Sequence, residues 1–225
     1  MTNLASNLEV LKKKLEHFTA EIVVVTKTHP LGTLKETYDL GLRVFGENKV
    51  QELQSKFEAL PKDIQWHMIG HLQSNKVKYI APFISLIHSV DSLGLLTEIN
   101  RQGEKNNRII PCLLQVHIAK EETKYGFTFQ EVIDLVASDL VKRMEHITIK
   151  GLMGMATNSD DEEVVRSEFR GLRNFFENQK SGLPNNCDWT ILSMGMSGDY
   201  SIALEEGSTM IRIGSALFGA RNYSH

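Results

Sequence analysis

The stretch Ile22-Val23-Val24-Val25-Thr26-Lys27-Thr28-His29 sets four β-branched apolar residues directly before two hydroxyls, an amine and an imidazole. A continuous apolar run of this length suits a strand covered on both faces, as in a parallel sheet, better than an amphipathic strand. Working outward, the same kind of run recurs at Leu42–Phe45, Trp66–Ile69, Ile84–Val90, Ile109–Val116, Ile147–Met155, Trp189–Met194 and Met210–Phe218. Between the runs lie segments of helical character: Thr33–Leu40, Lys49–Leu60, Ser92–Asn106, Thr128–Val141, Asp160–Gln179 and Ser201–Glu206. Thr33 and Glu36 stand at capping-box spacing, and the acidic start at Asp160 favours a helix N-terminus. Ahead of the first run, Leu4, Leu8, Leu11 and Leu15 repeat at helical spacing among lysines, which predicts an N-terminal amphipathic helix. Eight strand-like runs alternating with helices in 225 residues predict a single α/β domain over residues 1–225. Its expected form is a small (β/α)8 TIM-type barrel, with a doubly wound open sheet as the alternative. Against that alternative, no Gly-rich dinucleotide turn follows the first strand.

Composition narrows the function. With 41% hydrophobic residues, 24% charged residues and a net charge of −3, the chain has no basic footprint for nucleic acid. No apolar stretch approaches the roughly 20 residues that span a bilayer, and no secretory h-region is present, so a cytoplasmic protein is expected. Cys112 and Cys187 sit in or beside apolar runs and are expected as buried, reduced thiols, with no metal site.

In a β/α barrel the reactive groups belong at the C-terminal strand ends. Polar clusters fall there: Thr26–His29, Gly46-Glu47-Asn48, Gly70–Asn75, Ser193–Ser197 and Gly214-Ser215. Lys27 follows four apolar residues, where desolvation lowers an ammonium pKa and makes the amine nucleophilic toward aldehydes. A lysine snorkelling from a strand end to water satisfies the same pattern. The glycines and hydroxyls near the last strand can cradle a phosphate through backbone N–H groups, or serve only as tight turns. Arg212, two residues before Gly214, points to the same side of its strand one layer deeper. An inward arginine needs an acceptor, either a carboxylate such as Glu47 or the ring nitrogen of a ligand.

These residues also carry a resemblance. Val24–Thr28, Phe45–Glu52, Trp66–Lys76, Lys124-Tyr125-Gly126-Phe127, Gly151-Leu152-Met153, Leu192–Ser197 and Arg212–Arg221 run in order through nearly the whole chain. In these blocks the chain resembles the pyridoxal phosphate (PLP) homeostasis proteins, with the barrel of the alanine-racemase-like fold. The resemblance implies PLP held as a Schiff base on Lys27, with Asn48 beside the cofactor and Met68 near its ring. It also implies Ser193, Gly214 and Ser215 around the phosphate and Arg212 facing the pyridine nitrogen. The implied role is intracellular PLP homeostasis, with PLP and PLP-dependent apoenzymes as partners and no assigned catalytic residue. One departure stands out: where many bacterial members read Lys-Thr-Lys-Pro, this chain reads Lys27-Thr28-His29-Pro30. The role of the missing second amine is open here, and Lys124 is a further PLP-reactive candidate.

Enzyme and carrier remain two readings of that site. A cation opposite the pyridine nitrogen disfavours ring protonation and weakens the ring as an electron sink. The eight runs consume the chain to Phe218, which leaves no segment for the second domain that supplies a racemase with its opposing tyrosine. Tyr223 is a poor substitute, and a weak racemase or lyase would draw on a loop base such as His71. The expectation is therefore a PLP carrier, most simply a monomer.

Overall fold

In the computed structural model, which describes residues 4–120 and 125–219, the apolar runs become eight parallel strands closed into one barrel, in the order β1 to β8. They are β1 (Glu21–Val25), β2 (Val44–Glu47), β3 (Gln65–Met68), β4 (Leu86–Val90), β5 (Ile110–Val116), β6 (Ile147–Gly154), β7 (Cys187–Met196) and β8 (Met210–Ile213). Closure is made by β1 against β8, with Ile22 opposite Ile211 and Val24 opposite Ile213. That pairing excludes the open doubly wound sheet.

The helices on the outside include α1 (Leu4–Leu15), α2 (Leu31–Asp39), α3 (Val50–Ala59), α4 (Val77–Ile80) and α5 (Leu93–Lys105). After them come α6 (Phe129–Ala137), α7 (Asp139–Lys142), α8 (Glu162–Gln179), α9 (Tyr200–Glu205) and α10 (Ser215–Phe218). The predicted N-terminal helix buries all four of its leucines, and Asn7 Nδ2 donates to the Leu217 carbonyl of α10 at 2.9 Å. Several boundaries differ from the sequence reading for local reasons. α2 starts at Leu31 after Pro30, so the Thr33–Glu36 capping box does not form; proline pre-sets the extended entry to the helix instead. The predicted helix over Thr128–Val141 breaks at Ser138, whose hydroxyl caps α7 by accepting from the Val141 N–H. The last run is a four-residue strand and then α10, because Gly214 turns the chain. Cys112 and Cys187 are both free and buried, and burial raises both thiols above their usual range.

Side-chain parity along each strand divides the molecule into two apolar layers. Val24, Phe45, Trp66, Met68, Ile87 and Ile211 face outward into the large core under the helices. Val23, Val44, Leu86, Leu113, Met153 and Met210 face inward and fill the lower barrel. Above that apolar plug the interior turns polar, and the functional groups begin there.

Candidate functional site: a lysine-bearing cavity at the strand ends

The alternation that sends Val24 outward sends Val23, Val25 and Lys27 inward. Val25 and Lys27 line a cavity of about 560 Å³ at the C-terminal strand ends, together with Asn48, Ile69, Met155, Ser197, Arg212, Gly214 and Ser215. β1 and β8 are neighbours, so Lys27 and the Arg212–Ser215 segment share one wall. Gly70 fixes the Asn48 side: a Cβ there would lie 2.5 Å from the Asn48 carbonyl oxygen and 2.7 Å from its Cα. Only glycine permits that approach. Another depression, of about 500 Å³, is lined by α6 and the segment before β7, at the opposite end of the strands.

At one end of the cavity, Ser197 Oγ accepts from the N–H groups of Gly214 at 3.1 Å and Ala216 at 3.2 Å. The two amides hold the Ser197 hydroxyl in place, and its own O–H proton, beside Gly214 and Ser215 on the cavity wall, is left to donate to an anion. Ser193, expected in this role, lies four residues earlier and is fully buried beneath the cavity. The reason is a bulge. Gly195 has φ 94°, the β7–β8 register shifts between Ser193 and Met196, and the bulge carries Ser197 over the mouth.

Met68 is likewise displaced from its expected place. It faces the helix layer, one strand position out of phase with the cavity, and Ile69 takes the inner position. Glu47 is not the partner of Arg212. By the same parity it points outward, where its Oε1 accepts from Lys56 Nζ and from Thr26 Oγ, each at 2.6 Å.

Arg212 is instead the roof of a polar layer inside the barrel. Its Nη1 donates to Ser193 Oγ at 2.7 Å and to the Ser193 carbonyl at 3.0 Å, and its Nη2 donates to the Gly154 carbonyl at 3.1 Å. Ser193 Oγ also meets His88 Nδ1 at 3.0 Å, and His88 Nε2 meets His67 Nδ1 at 3.0 Å. Since guanidinium only donates, Ser193 Oγ accepts from it, and the Ser193–His88–His67 chain runs in the direction that the His88 tautomer sets. Burial lowers the His67 pKa to about 3 and holds His88 well below its usual range; His67 and Arg212 push His88 further down. Both imidazoles are therefore neutral at pH 7. Burial also lowers Arg212, to about 10, and leaves it a cation at pH 7.

Five of the seven sequence-derived site residues therefore come together: Lys27, Asn48, Arg212, Gly214 and Ser215. His67, His88 and Ser197 complete the surroundings without having been singled out individually. Parity in β3 and β4 is the signal that would have found the two histidines. Lys124 and Tyr223 lie outside the described residues. His71 meets Asp91 Oδ2 at 3.1 Å and stacks on Tyr125 with ring centroids 4.6 Å apart.

A closed parallel barrel with its lysine, buried arginine and hydroxyl-amide cradle at the strand ends is a barrel of the alanine racemase class; the family model for the alanine racemase N-terminal domain matches residues 1–222. Within that class the chain belongs to the pyridoxal phosphate homeostasis protein family. It is 40% identical over 205 residues to the pyridoxal phosphate homeostasis protein of Aquifex aeolicus, covering 91% of this chain and 88% of the relative. The solved structure of PipY from Synechococcus elongatus with PLP bound matches with a TM-score of 0.86 and 33% identity, over 96% of this chain and all of that one. The PLP-free PipY structure matches with a TM-score of 0.90 and 32% identity, over 96% of this chain and 100% of that one.

Proposed function

We propose that this chain binds pyridoxal 5'-phosphate in the strand-end cavity as a Schiff base on Lys27 and serves PLP homeostasis as a reversible carrier. The observation that carries this reading is the convergence on one cavity of Lys27, the Ser197–Gly214–Ala216 cradle and Arg212. The donor set fits the ligand. An amine emerging from an apolar strand suits an aldehyde, a serine hydroxyl held by two amides suits a phosphate, and a guanidinium suits the lone pair of a ring nitrogen. The PLP-bound PipY structure and the curated relatives support the assignment.

When bound, PLP supplies a reactive aldehyde and an electron-accepting ring. The residues here favour holding it over using it. Arg212 stays protonated at pH 7, and a ring nitrogen held against it would be kept unprotonated, which would leave the ring a weak electron sink. Ser193 and Gly154 fix the guanidinium so that it cannot swing away. Sequestering the aldehyde protects bystander amines, and delivery to PLP-dependent apoenzymes completes the carrier role. The reading extends to a cytoplasmic monomer. The catalytic alternative, a weak racemase or lyase, needs a second acid/base group. His71 is engaged with Asp91 and Tyr125 and is not among the cavity-lining residues.

Borohydride reduction of the PLP-loaded protein followed by peptide mass spectrometry should place the adduct on Lys27, and Lys27→Ala should remove both adduct and visible absorption band. An adduct retained elsewhere in the variant with the same band would refute the assignment. D-isomer, keto acid and amine formation from L-amino acids well above a free-PLP control would refute the carrier reading.

A further inference from the structure

Behind Lys27, on the outer face of the barrel, the protein buries an ion cluster that the cavity does not use. Thr26 directly follows β1 and points outward, in line with Glu47 on the neighbouring strand β2, where Val24 pairs Phe45 and Val25 pairs Gly46. Thr26 Oγ donates to Glu47 Oε1 at 2.6 Å. Lys56, one turn after Glu52 on α3, reaches into the same space: its Nζ donates to Glu47 Oε1 at 2.6 Å, to Glu52 Oε1 at 2.7 Å and to the Thr26 carbonyl at 2.7 Å. Glu47 is fully buried and Lys56 is 4% exposed.

The chain carrying Lys27 is held on both sides by this cluster. The Thr26 carbonyl also accepts from the His29 N–H at 3.1 Å, which closes a tight turn with Lys27 and Thr28 at its two corners. Thr28 has φ 67°, in the left-handed region that a β-branched residue seldom enters. Its N–H donates to Glu52 Oε1 at 2.5 Å. The same carboxylate oxygen thus receives the lysine of α3 and the strained corner of the turn. Burial pushes the Glu52 carboxyl up, but the bonds from Lys56 and the Thr28 N–H outweigh it and hold the group below its usual range. Burial raises the Glu47 carboxyl, and its Oε2 has no hydrogen-bond partner among the described residues, so the pair carries a desolvation cost that its bonds only partly offset. Strain of this kind persists where surrounding structure over-determines it, characteristically beside a functional group.

We propose that Glu47, Glu52 and Lys56 are positioning residues: they clamp the Thr26–His29 turn so that Lys27 is presented into the cavity, and they set how tightly PLP is retained there. This rests on the assignment of PLP to Lys27. The clamp touches backbone on either side of Lys27, so its loss frees the lysine's direction without removing a group that touches the ligand. Pre-organisation of this kind acts mainly on the rate of release.

The test compares Glu52→Ala, in which the acceptor for the Thr28 N–H is gone, with Glu52→Gln, which keeps an amide oxygen there. Glu52 is partly exposed, so both variants are expected to fold, and Ile149→Val in the remote core serves as a control for general destabilisation. PLP release is followed as decay of the visible band after dilution. Acetylation of Lys27 by a limiting anhydride is followed by mass spectrometry on PLP-free protein, and urea stability is recorded for each. Glu52→Ala should release PLP about tenfold faster, as expected for loss of one charge-assisted hydrogen bond. It should also alter the Lys27 acetylation rate, and Glu52→Gln should restore both toward wild type. Release and acetylation in Glu52→Ala that match Ile149→Val, in a wild type that does load PLP on Lys27, would overturn the clamp alone. A wild type that loads no PLP on Lys27 would overturn the assignment of PLP and the clamp with it.

Discussion

Lowering the pH from about 7.5 to about 5 should weaken the fold through His67. This side chain is 3% exposed, its Nδ1 faces His88, and burial lowers its pKa from 6.5 to about 3. A native pKa depressed below the unfolded one means that the unfolded chain takes up the proton first. The stability contribution is therefore intact above about pH 7.5, falls as the pH drops through 6.5, and continues to fall toward about 3. Each pH unit in that window removes about 1.4 kcal/mol per proton, so the 1.5 units between 6.5 and about 5 remove about 2 kcal/mol. With a urea m-value of about 3 kcal/mol/M for a chain of this size, the midpoint moves by ~0.7 M. The assay is urea unfolding at a series of pH values for the wild type and for His67→Asn, which keeps a polar group opposite His88 but does not titrate. Carboxylate contributions are common to both proteins and cancel in the difference. The wild type should lose about 2 kcal/mol more than the variant over this range. Equal pH dependence in the two would show that His67 is not held neutral by burial, and would remove the argument for a neutral polar layer beneath Arg212.

Met68→Ala should destabilise the fold by about 3 kcal/mol in urea unfolding while leaving PLP affinity within about twofold, because Met68 packs outward and not on the cavity; a large loss of affinity without loss of stability would contradict that placement. Ser197→Ala should weaken PLP retention about fivefold, measured by equilibrium dialysis, and lower stability by about 1 kcal/mol in urea unfolding, because the Gly214 and Ala216 N–H groups lose their acceptor. Gly70→Ala should displace Asn48 and lower both stability and PLP affinity, since its Cβ would overlap the Asn48 backbone; calorimetry with and without PLP reads both. Gly195→Ala should cost about 2 kcal/mol, through a left-handed φ and a Cβ 2.6 Å from that of Ala203, and urea unfolding checks it.

Much of this molecule is written in local pattern. Strand and helix follow from short apolar runs and helical spacing, and the amphipathic α1 was legible down to its four buried leucines. Lys27 was legible as a lysine ending an apolar run, a pattern a snorkelling lysine satisfies as well; the family blocks singled it out, and strand parity from Val23 through Val25 agrees with its place on the cavity wall. What local pattern left open were the partners. Arg212 had Glu47 as a plausible acceptor, yet the barrel turns Glu47 outward to Lys56 and offers Ser193 and Gly154 from β7 and β6 instead. Those are choices between strands far apart in sequence, settled only when β1 closes on β8.

Parity itself fails where a bulge intervenes. The register shift around Gly195 interrupts the β7 alternation, so Ser193 sinks into the barrel and Ser197 rises to the cavity, although both stand in one five-residue run. The sequence by itself thus determined the elements, their order and the lysine at the first strand's end, because backbone periodicity is encoded residue by residue. Only the tertiary structure decided the closed sheet, the Arg212–Ser193–His88–His67 layer and the serine at the cradle, because each depends on contacts between segments that the chain brings together only on closing.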